Sequence, residues 1–154
     1  MKISNNCLDL VEHYEGLRLE AYRCPAGVLT IGYGTIRYPE GEKVKEGDTC
    51  TKEQAEVWLK YELNKASDHL NDQKWDLNQN QHDALCSFIY NLGWGALKGS
   101  TLYLLIDKNI NDPKIGMEFY RWVRAGGEVL KGLQFRRLSE YHLYVTGQLK
   151  FDWK

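Results

Sequence analysis

The sequence lacks several features that mark common classes of protein. Its formal net charge is −1, so no global basic field points to nucleic acid as a partner. No stretch approaches the roughly 18 apolar residues of a membrane-spanning helix. Residues 1–15 contain Asp9, Glu12 and Glu15, where a signal peptide would have an apolar core. We therefore expect that the chain does not insert stably into a membrane and that it folds in the cytoplasm.

Metal, phosphate and hydrolase motifs are also missing. The four histidines show no H-E-x-x-H or comparable spacing, which argues against a zinc site. Gly32-Tyr33-Gly34 is not followed by Lys-Ser/Thr, so it is not a phosphate-binding loop. No G-x-S-x-G elbow is present. We expect no metal and no other cofactor.

Four cysteines lie far apart in the sequence, at Cys7, Cys24, Cys50 and Cys86, without a C-x-x-C pair. The even number is compatible with two disulfides. In a chain without a secretory signal, however, reduced thiols are the expectation. Whether a disulfide forms in an oxidising compartment stays open.

What the sequence does contain is typical of one α+β domain. Its 154 residues are 43% hydrophobic and 27% charged, which is ordinary for a globular protein. Residues 17–44 alternate β-prone pieces with glycine and proline turns, which predicts a small antiparallel sheet and the only β region of the chain. Capping patterns and helical spacing predict helices over residues 4–15, 51–70, 78–92, 101–108, 113–125 and 133–144.

The order of these elements predicts one domain over residues 1–154 with two lobes. The small sheet lobe covers about residues 17–50. The helical lobe covers about residues 70–154 together with the N-terminal helix, and the helix over residues 51–70 joins the two. A cleft between such lobes is a favoured place for a ligand.

Three reactive side chains of different kinds, Glu15, Cys24 and Thr30, fall within sixteen residues. A helix C-terminus carries partial negative charge and disfavours an ionised carboxylate, so Glu15 is a candidate proton donor. Cys24 follows Arg23 in a turn, and a thiol beside a cation is a candidate for a lowered pKa. Each residue also has an ordinary interpretation: Glu15 as a solvated acid, Cys24 as a small hydrophobic residue and Thr30 as a strand residue.

The spacing of this trio resembles the catalytic signature of the phage-type lysozymes, glycoside hydrolase family 24, the group that contains the lysozyme of T-even phages. That family has Glu, eight residues, Asp or Cys, five residues and Thr, as in Glu15, Cys24 and Thr30. Many relatives have His where this chain has Thr35. The similarity continues in the same order over nearly the whole chain, in residues 84–93, 100–102, 122–127 and 132–140.

The resemblance implies a lysozyme-like fold and a role for each member of the trio. Glu15 becomes the general acid that protonates the glycosidic oxygen, Cys24 takes the second catalytic position, and Thr30 helps to place water or the Cys24 side chain. A thiol with a pKa of about 8.5 is mostly neutral at pH 7. The rule that relates carboxyl separation to stereochemistry therefore does not apply cleanly, and an inverting or retaining outcome stays open.

The resemblance also implies a substrate and partners. Tyr90, Asn91 and Arg136 fall where the family binds sugar, with Arg137 as the alternative to Arg136. The implied substrate is bacterial peptidoglycan, cut between N-acetylmuramic acid and N-acetylglucosamine during host lysis. A phage holin is implied as the partner that gives a monomeric enzyme a path from the host cytoplasm to the periplasm and wall.

Two rival functions remain at this point. A lytic transglycosylase cuts the same bond with a single Glu and needs no second carboxylate, which the presence of Cys24 keeps open. A non-catalytic wall-binding phage protein is the rival from another class. The intact spacing of Glu15, Cys24 and Thr30 argues against it, because a binding module does not need a proton donor.

Overall fold

The computed structural model describes residues 1–154 and is mostly helical, with two short antiparallel sheets. The helices are α1 (Asn5–Glu15), α2 (Lys52–Asn71), α3 (Gln79–Leu92), α4 (Trp94–Lys98), α5 (Thr101–Lys108), α6 (Ile115–Tyr120) and α7 (Lys131–Thr146). The strands are β1 (Arg18–Arg23), β2 (Leu29–Gly32), β3 (Arg124–Ala125) and β4 (Glu128–Val129). The predicted α+β class is confirmed.

Helix α1 ends at the residue that the sequence singles out as a proton donor. The Ser4 hydroxyl caps its first turn by accepting a hydrogen bond from the Asn6 N–H at 3.3 Å. Gly16 follows the helix with a φ of 70°, a conformation that favours glycine and stops further helical turns. The predicted extent of this helix is confirmed, with Glu15 as its last residue.

Strands β1 and β2 form the predicted antiparallel hairpin, in which Tyr22 pairs with Thr30. Cys24 opens the connecting turn, where its N–H donates to the Val28 carbonyl at 3.0 Å. The Gly27 N–H donates to the Cys24 carbonyl at 2.8 Å and tightens the same turn. The hairpin therefore holds Cys24 and Thr30 in one small unit of strand and turn.

Helix α3 runs through the middle of the helical part. Asn78 and Gln81 form a reciprocal capping box at its start, as Thr51 and Gln54 do for α2. Helix α3 packs against α1, α2 and α7, and their apolar side chains share one core. Its last turn is only half-buried. None of the helices is long and apolar enough to cross a membrane.

The prediction of a helix over residues 113–125 is wrong. Helix α6 covers only Ile115–Tyr120, and the chain then forms a second hairpin from β3 and β4. Gly126 and Gly127 join these strands with φ of 58° and 83°. Two successive residues of positive φ make the tight turn whose twist suits a hairpin, and such turns strongly prefer glycine. The prediction of a single β region is thereby also wrong, and the short helix α4 is absent from the predicted set.

Candidate active site

A cleft of about 630 Å³ opens between the sheet part and the helical part of the molecule. Five pieces of chain form its wall. They are the end of α1 at Glu15, residues 34–37 after β2, the α2 residues from Glu62 to His69, the end of α3 at residues 89–91, and residues 93–94. The structure thus brings Glu15, Tyr90 and Asn91 together at one cleft.

Glu15 is held there by a cation from the other end of the sequence. Its Oε2 accepts a hydrogen bond from Arg136 Nη1 at 2.5 Å. The Glu15 side chain is 20% exposed and that of Arg136 only 4%, so the carboxylate faces the cleft and the guanidinium lies behind it. Arg136 therefore places a positive charge beside the C-terminus of α1, the end of the helix that carries partial negative charge.

Arg136 therefore occupies a different place from the one expected of a sugar-binding residue. It does not line the cleft. Its Nη2 donates to the Ser87 carbonyl at 3.3 Å, and its Nε to Glu140 Oε2 at 3.4 Å. Its neighbour Arg137 is fully buried and also lies behind the wall. Of the two arginines, Arg136 is the one that touches Glu15.

Tyr90 and Asn91 form the α3 side of the cleft. The Tyr90 hydroxyl donates to the Tyr33 carbonyl at 2.6 Å, which ties α3 to the turn after β2. Burial raises the pKa of the Tyr90 phenol, and the Glu15 carboxylate adds to that effect. Asn91 Oδ1 accepts a hydrogen bond from Arg137 Nη2 at 2.7 Å. Both side chains are thus oriented by buried or backbone partners.

Cys24 and Thr30 lie together on the β1–β2 hairpin, and neither lines this cleft. The backbone N–H groups of Val28 and Ala26 lower the pKa of the Cys24 thiol, and the Thr30 hydroxyl adds a smaller effect. The cation expected to have this effect, Arg23, donates instead to a carbonyl in the same turn.

The direction of the Cys24 shift is therefore the predicted one, but its cause is backbone hydrogen bonding rather than a neighbouring charge. Thr30 is nearly buried, with 5% of its surface exposed. Its hydroxyl donates to the Val28 carbonyl at 3.0 Å. That bond ties the Thr30 side chain to the same turn that holds Cys24.

Several cleft residues are missing from the set that the sequence predicts. Trp94 begins the unpredicted α4, and His69 stacks on it with ring centroids 4.9 Å apart and planes 7° from parallel. Thr35, noted only as a departure from the family pattern, is buried on the cleft wall, and its hydroxyl has no hydrogen-bond partner. No spacing in the sequence signals these positions, because they meet only when the turn after β2 and helices α2, α3 and α4 pack around one cleft.

Comparisons with known proteins identify the family of this chain. The family model for phage lysozyme matches residues 12–140. The chain is 41% identical to an endolysin of Acyrthosiphon pisum secondary endosymbiont phage 1, over 95% of this chain and 99% of that protein. It is 38% identical to the Bacillus phage B103 endolysin, but that alignment covers 97% of this chain and only 56% of the longer relative.

A solved structure agrees as well. The endolysin from Escherichia coli O157:H7 phage FAHEc1 matches with a TM-score of 0.89 and 35% identity over 97% of each chain. The lysozyme-like fold expected from the sequence is thereby confirmed. Both kinds of comparison extend over nearly the whole chain, so they include the cleft as well as the core.

Proposed function

The chain belongs to the phage lysozyme family and is a lysozyme-type cell-wall hydrolase, and from this premise we propose its bond and its proton donor. The bond is the β-1,4 link between N-acetylmuramic acid and N-acetylglucosamine in peptidoglycan. The donor is Glu15. The observation that carries this proposal is the Glu15 carboxylate, which Arg136 holds at the wall of the cleft.

In the proposed reaction, protonated Glu15 gives its proton to the glycosidic oxygen as the bond breaks. General acid catalysis of this kind typically contributes about 10²–10⁴-fold. The carboxylate that results has Arg136 beside it, and a charge-assisted hydrogen bond of this type stabilises the ionised acid. Arg136 therefore favours the state in which the proton has been transferred.

Cys24 and Thr30 act from the hairpin in this proposal. A lowered pKa increases the fraction of Cys24 present as thiolate, and a thiolate can stabilise an oxocarbenium-like transition state or attack the sugar. Thr30 holds the turn that carries Cys24 and helps to place water or the thiol. Both roles remain part of the proposal, as does the stereochemical outcome.

The substrate contacts are proposed for Tyr90 and Asn91, which line the cleft. Arg136, which the family resemblance places among the sugar-binding residues, acts in this scheme on Glu15. Residues 1–154 serve as one catalytic domain, and the active species is a monomer. A holin would admit the enzyme from the host cytoplasm to the periplasm, where it meets the wall.

Analysis of the products from purified peptidoglycan tests the reaction. Hydrolysis yields free reducing ends, whereas a lytic transglycosylase yields 1,6-anhydromuramic ends. Lytic transglycosylase activity is the second candidate function, which is favoured because Cys24 places a thiol where a second carboxylate would stand. Wild type, Glu15→Gln and Cys24→Asp form the set to compare. Wall binding by the wild type without any cleavage would support a non-catalytic protein instead.

A further inference from the structure

Behind Glu15 lies a buried cluster of charged groups, of which the proposed reaction uses Arg136 alone. Glu140 is fully buried on α7, one turn after Arg136. Its Oε2 accepts hydrogen bonds from the Ser87 hydroxyl at 2.6 Å, from Arg137 Nη2 at 3.2 Å and from Arg136 Nε at 3.4 Å. One carboxylate therefore holds both arginines.

Each of these arginines reaches a different residue of the cleft wall. Arg136 donates to Glu15 at 2.5 Å, and Arg137 donates to Asn91 at 2.7 Å. Arg137 Nε also lies 2.9 Å from Glu140 Oε1. Burial lowers the pKa of the Arg137 guanidinium, and the Glu140 carboxylate opposes that effect. Glu140 is thus the shared anchor for the contacts to Glu15 and Asn91.

The charges of this cluster cancel only when Glu15 is ionised. Arg136 and Arg137 supply two positive charges, while Glu140 and Glu15 supply two negative ones. Protonation of Glu15 leaves the cluster with one net positive charge. Without the Glu140 charge, protonation would leave two buried guanidinium groups and no anion, an arrangement that burial strongly disfavours.

We propose that Glu140 is a positioning residue of the active site, which aims Arg136 at Glu15 and Arg137 at Asn91 and allows Glu15 to hold a proton beside Arg136. This inference rests on the proposed role of Glu15 as proton donor. It assigns to a residue outside the cleft a defined effect on the pH range in which the enzyme works.

The other groups that face the cluster come from each neighbouring element. Helix α1 contributes the Cys7 thiol and the Tyr14 phenol, α3 contributes Ser87 and the Tyr90 phenol, and α2 contributes the Glu62 carboxylate near Tyr90. The turn after β2 contributes the uncharged backbone of Gly34. Glu62 is the one carboxylate among these groups, and Lys65 on the same helix lies 3.5 Å from it, so the two arginines and two carboxylates of the cluster dominate the balance.

Two substitutions that change the net charge of the cluster in opposite directions test the proposal. If cleavage needs protonated Glu15, its rate declines as the pH rises and Glu15 ionises. This decline is the alkaline limb of the pH–rate profile. In Glu140→Gln the cluster gains positive charge, so we expect this alkaline limb to move down by about one pH unit and the maximal rate to fall about tenfold. In Arg137→Gln the cluster loses positive charge, so the limb should move up. The measurement is the pH dependence of the initial rate of peptidoglycan cleavage.

Two controls separate this role from a general loss of packing. Glu140→Asp keeps the charge and should keep the alkaline limb near its wild-type position. Asp83→Asn removes a different fully buried carboxylate. Asp83 lies on α3 and accepts hydrogen bonds from Ser4 and Gln79, away from the cleft. This substitution should lower the melting temperature without moving the limb. Circular dichroism of each variant verifies that it is folded.

Either of two results would overturn the proposal. One is a wild-type alkaline limb in folded Glu140→Gln and Arg137→Gln; the other is movement of the limb in the same direction in both. If Glu140→Gln does not fold, Arg137→Gln decides the matter by the sign of its shift. Glu15→Gln is measured alongside, because an active Glu15→Gln would contradict the proposed function itself rather than the role of Glu140.

Discussion

Gly34 lies so close to Glu15 that a Cβ atom at this position would be 2.9 Å from the Oε1 of the carboxylate. The φ of Gly34 is +93°, which residues with side chains rarely adopt. Arg136 holds the other oxygen, Oε2, of the same carboxylate. Glu15 is therefore confined from two sides, by the backbone of the turn after β2 and by a guanidinium of α7.

Gly34→Ala should consequently displace Glu15 and lower the cleavage rate at least about tenfold. The positive φ alone should cost about 1 kcal/mol or more of the free energy of unfolding. Gly41→Ala is the matched control, since Gly41 has a φ of +103° but a Cβ atom added there would meet no other atom within 4 Å. Initial rates and thermal unfolding of both variants are the measurements. Equal losses of activity would show that contact with Glu15 is not the cause.

Glu15→Gln should abolish lysis while the fold is retained, because an amide has no proton to give to the glycosidic oxygen. The expected loss is about 10²–10⁴-fold. Glu12→Gln, one turn earlier on the same helix, is the control and should keep activity near the wild-type level. The turbidity of a cell-wall suspension measures lysis, and circular dichroism shows whether the fold is retained. Near-wild-type lysis by Glu15→Gln would remove Glu15 from the proposed role.

Much of the fold follows from signals that are local in the sequence. Ser4 and Gly16 delimit α1, and the capping box of Thr51 and Gln54 begins α2 as predicted. The β3–β4 hairpin is absent from the prediction although Gly126-Gly127 is a hairpin signal in its own right. The helix predicted over residues 113–125 overlaps this hairpin, because a proline before a segment and a pair of glycines after it are also signals for the start and the end of a helix.

The site is predictable in part for the same reason. Glu15 at the end of α1 depends on a few adjacent residues, so the sequence places it. Its ion pair with Arg136 joins residues 121 positions apart, and no local pattern encodes such a contact. Glu140 pairs with Arg136 and Arg137 at local spacings of four and three residues on α7, but its burial against Ser87 depends on how α7 packs against α3. Partners of this kind appear only when helices are assembled.

Replacement of Cys24 should distinguish its two proposed chemical roles. If its negative charge is what matters, Cys24→Asp should retain far more activity than Cys24→Ser. Activity that depends on the thiolate falls as pH drops through the Cys24 pKa, which the hairpin backbone lowers. Because a carboxylate stays ionised to lower pH, Cys24→Asp should remain active on the acidic side where wild type fades. The pH–rate profiles of the three proteins measure this, and higher activity of Cys24→Ser would show that charge is not required.

Thiol reactivity should separate the four cysteines into two pairs. Cys7 and Cys86 are fully buried, whereas Cys24 and Cys50 are partly exposed, so two thiols should react in the native protein and four after unfolding. Cys24 should react before Cys50, because backbone hydrogen bonds lower the pKa of the Cys24 thiol while burial raises that of Cys50. Mass spectrometry after brief alkylation identifies the order.

Inhibition should follow the modification of Cys24. Cys50→Ala is the control, because it leaves Cys24 as the single half-exposed thiol and should be inhibited at the same rate as wild type. A bulky adduct at Cys24 removes the thiolate and occupies the turn next to Thr30, so activity should fall in proportion to the modified fraction. Full activity in protein whose Cys24 is completely alkylated would exclude this thiol from the reaction and leave Glu15 as its single titrating group, the arrangement of the transglycosylase alternative.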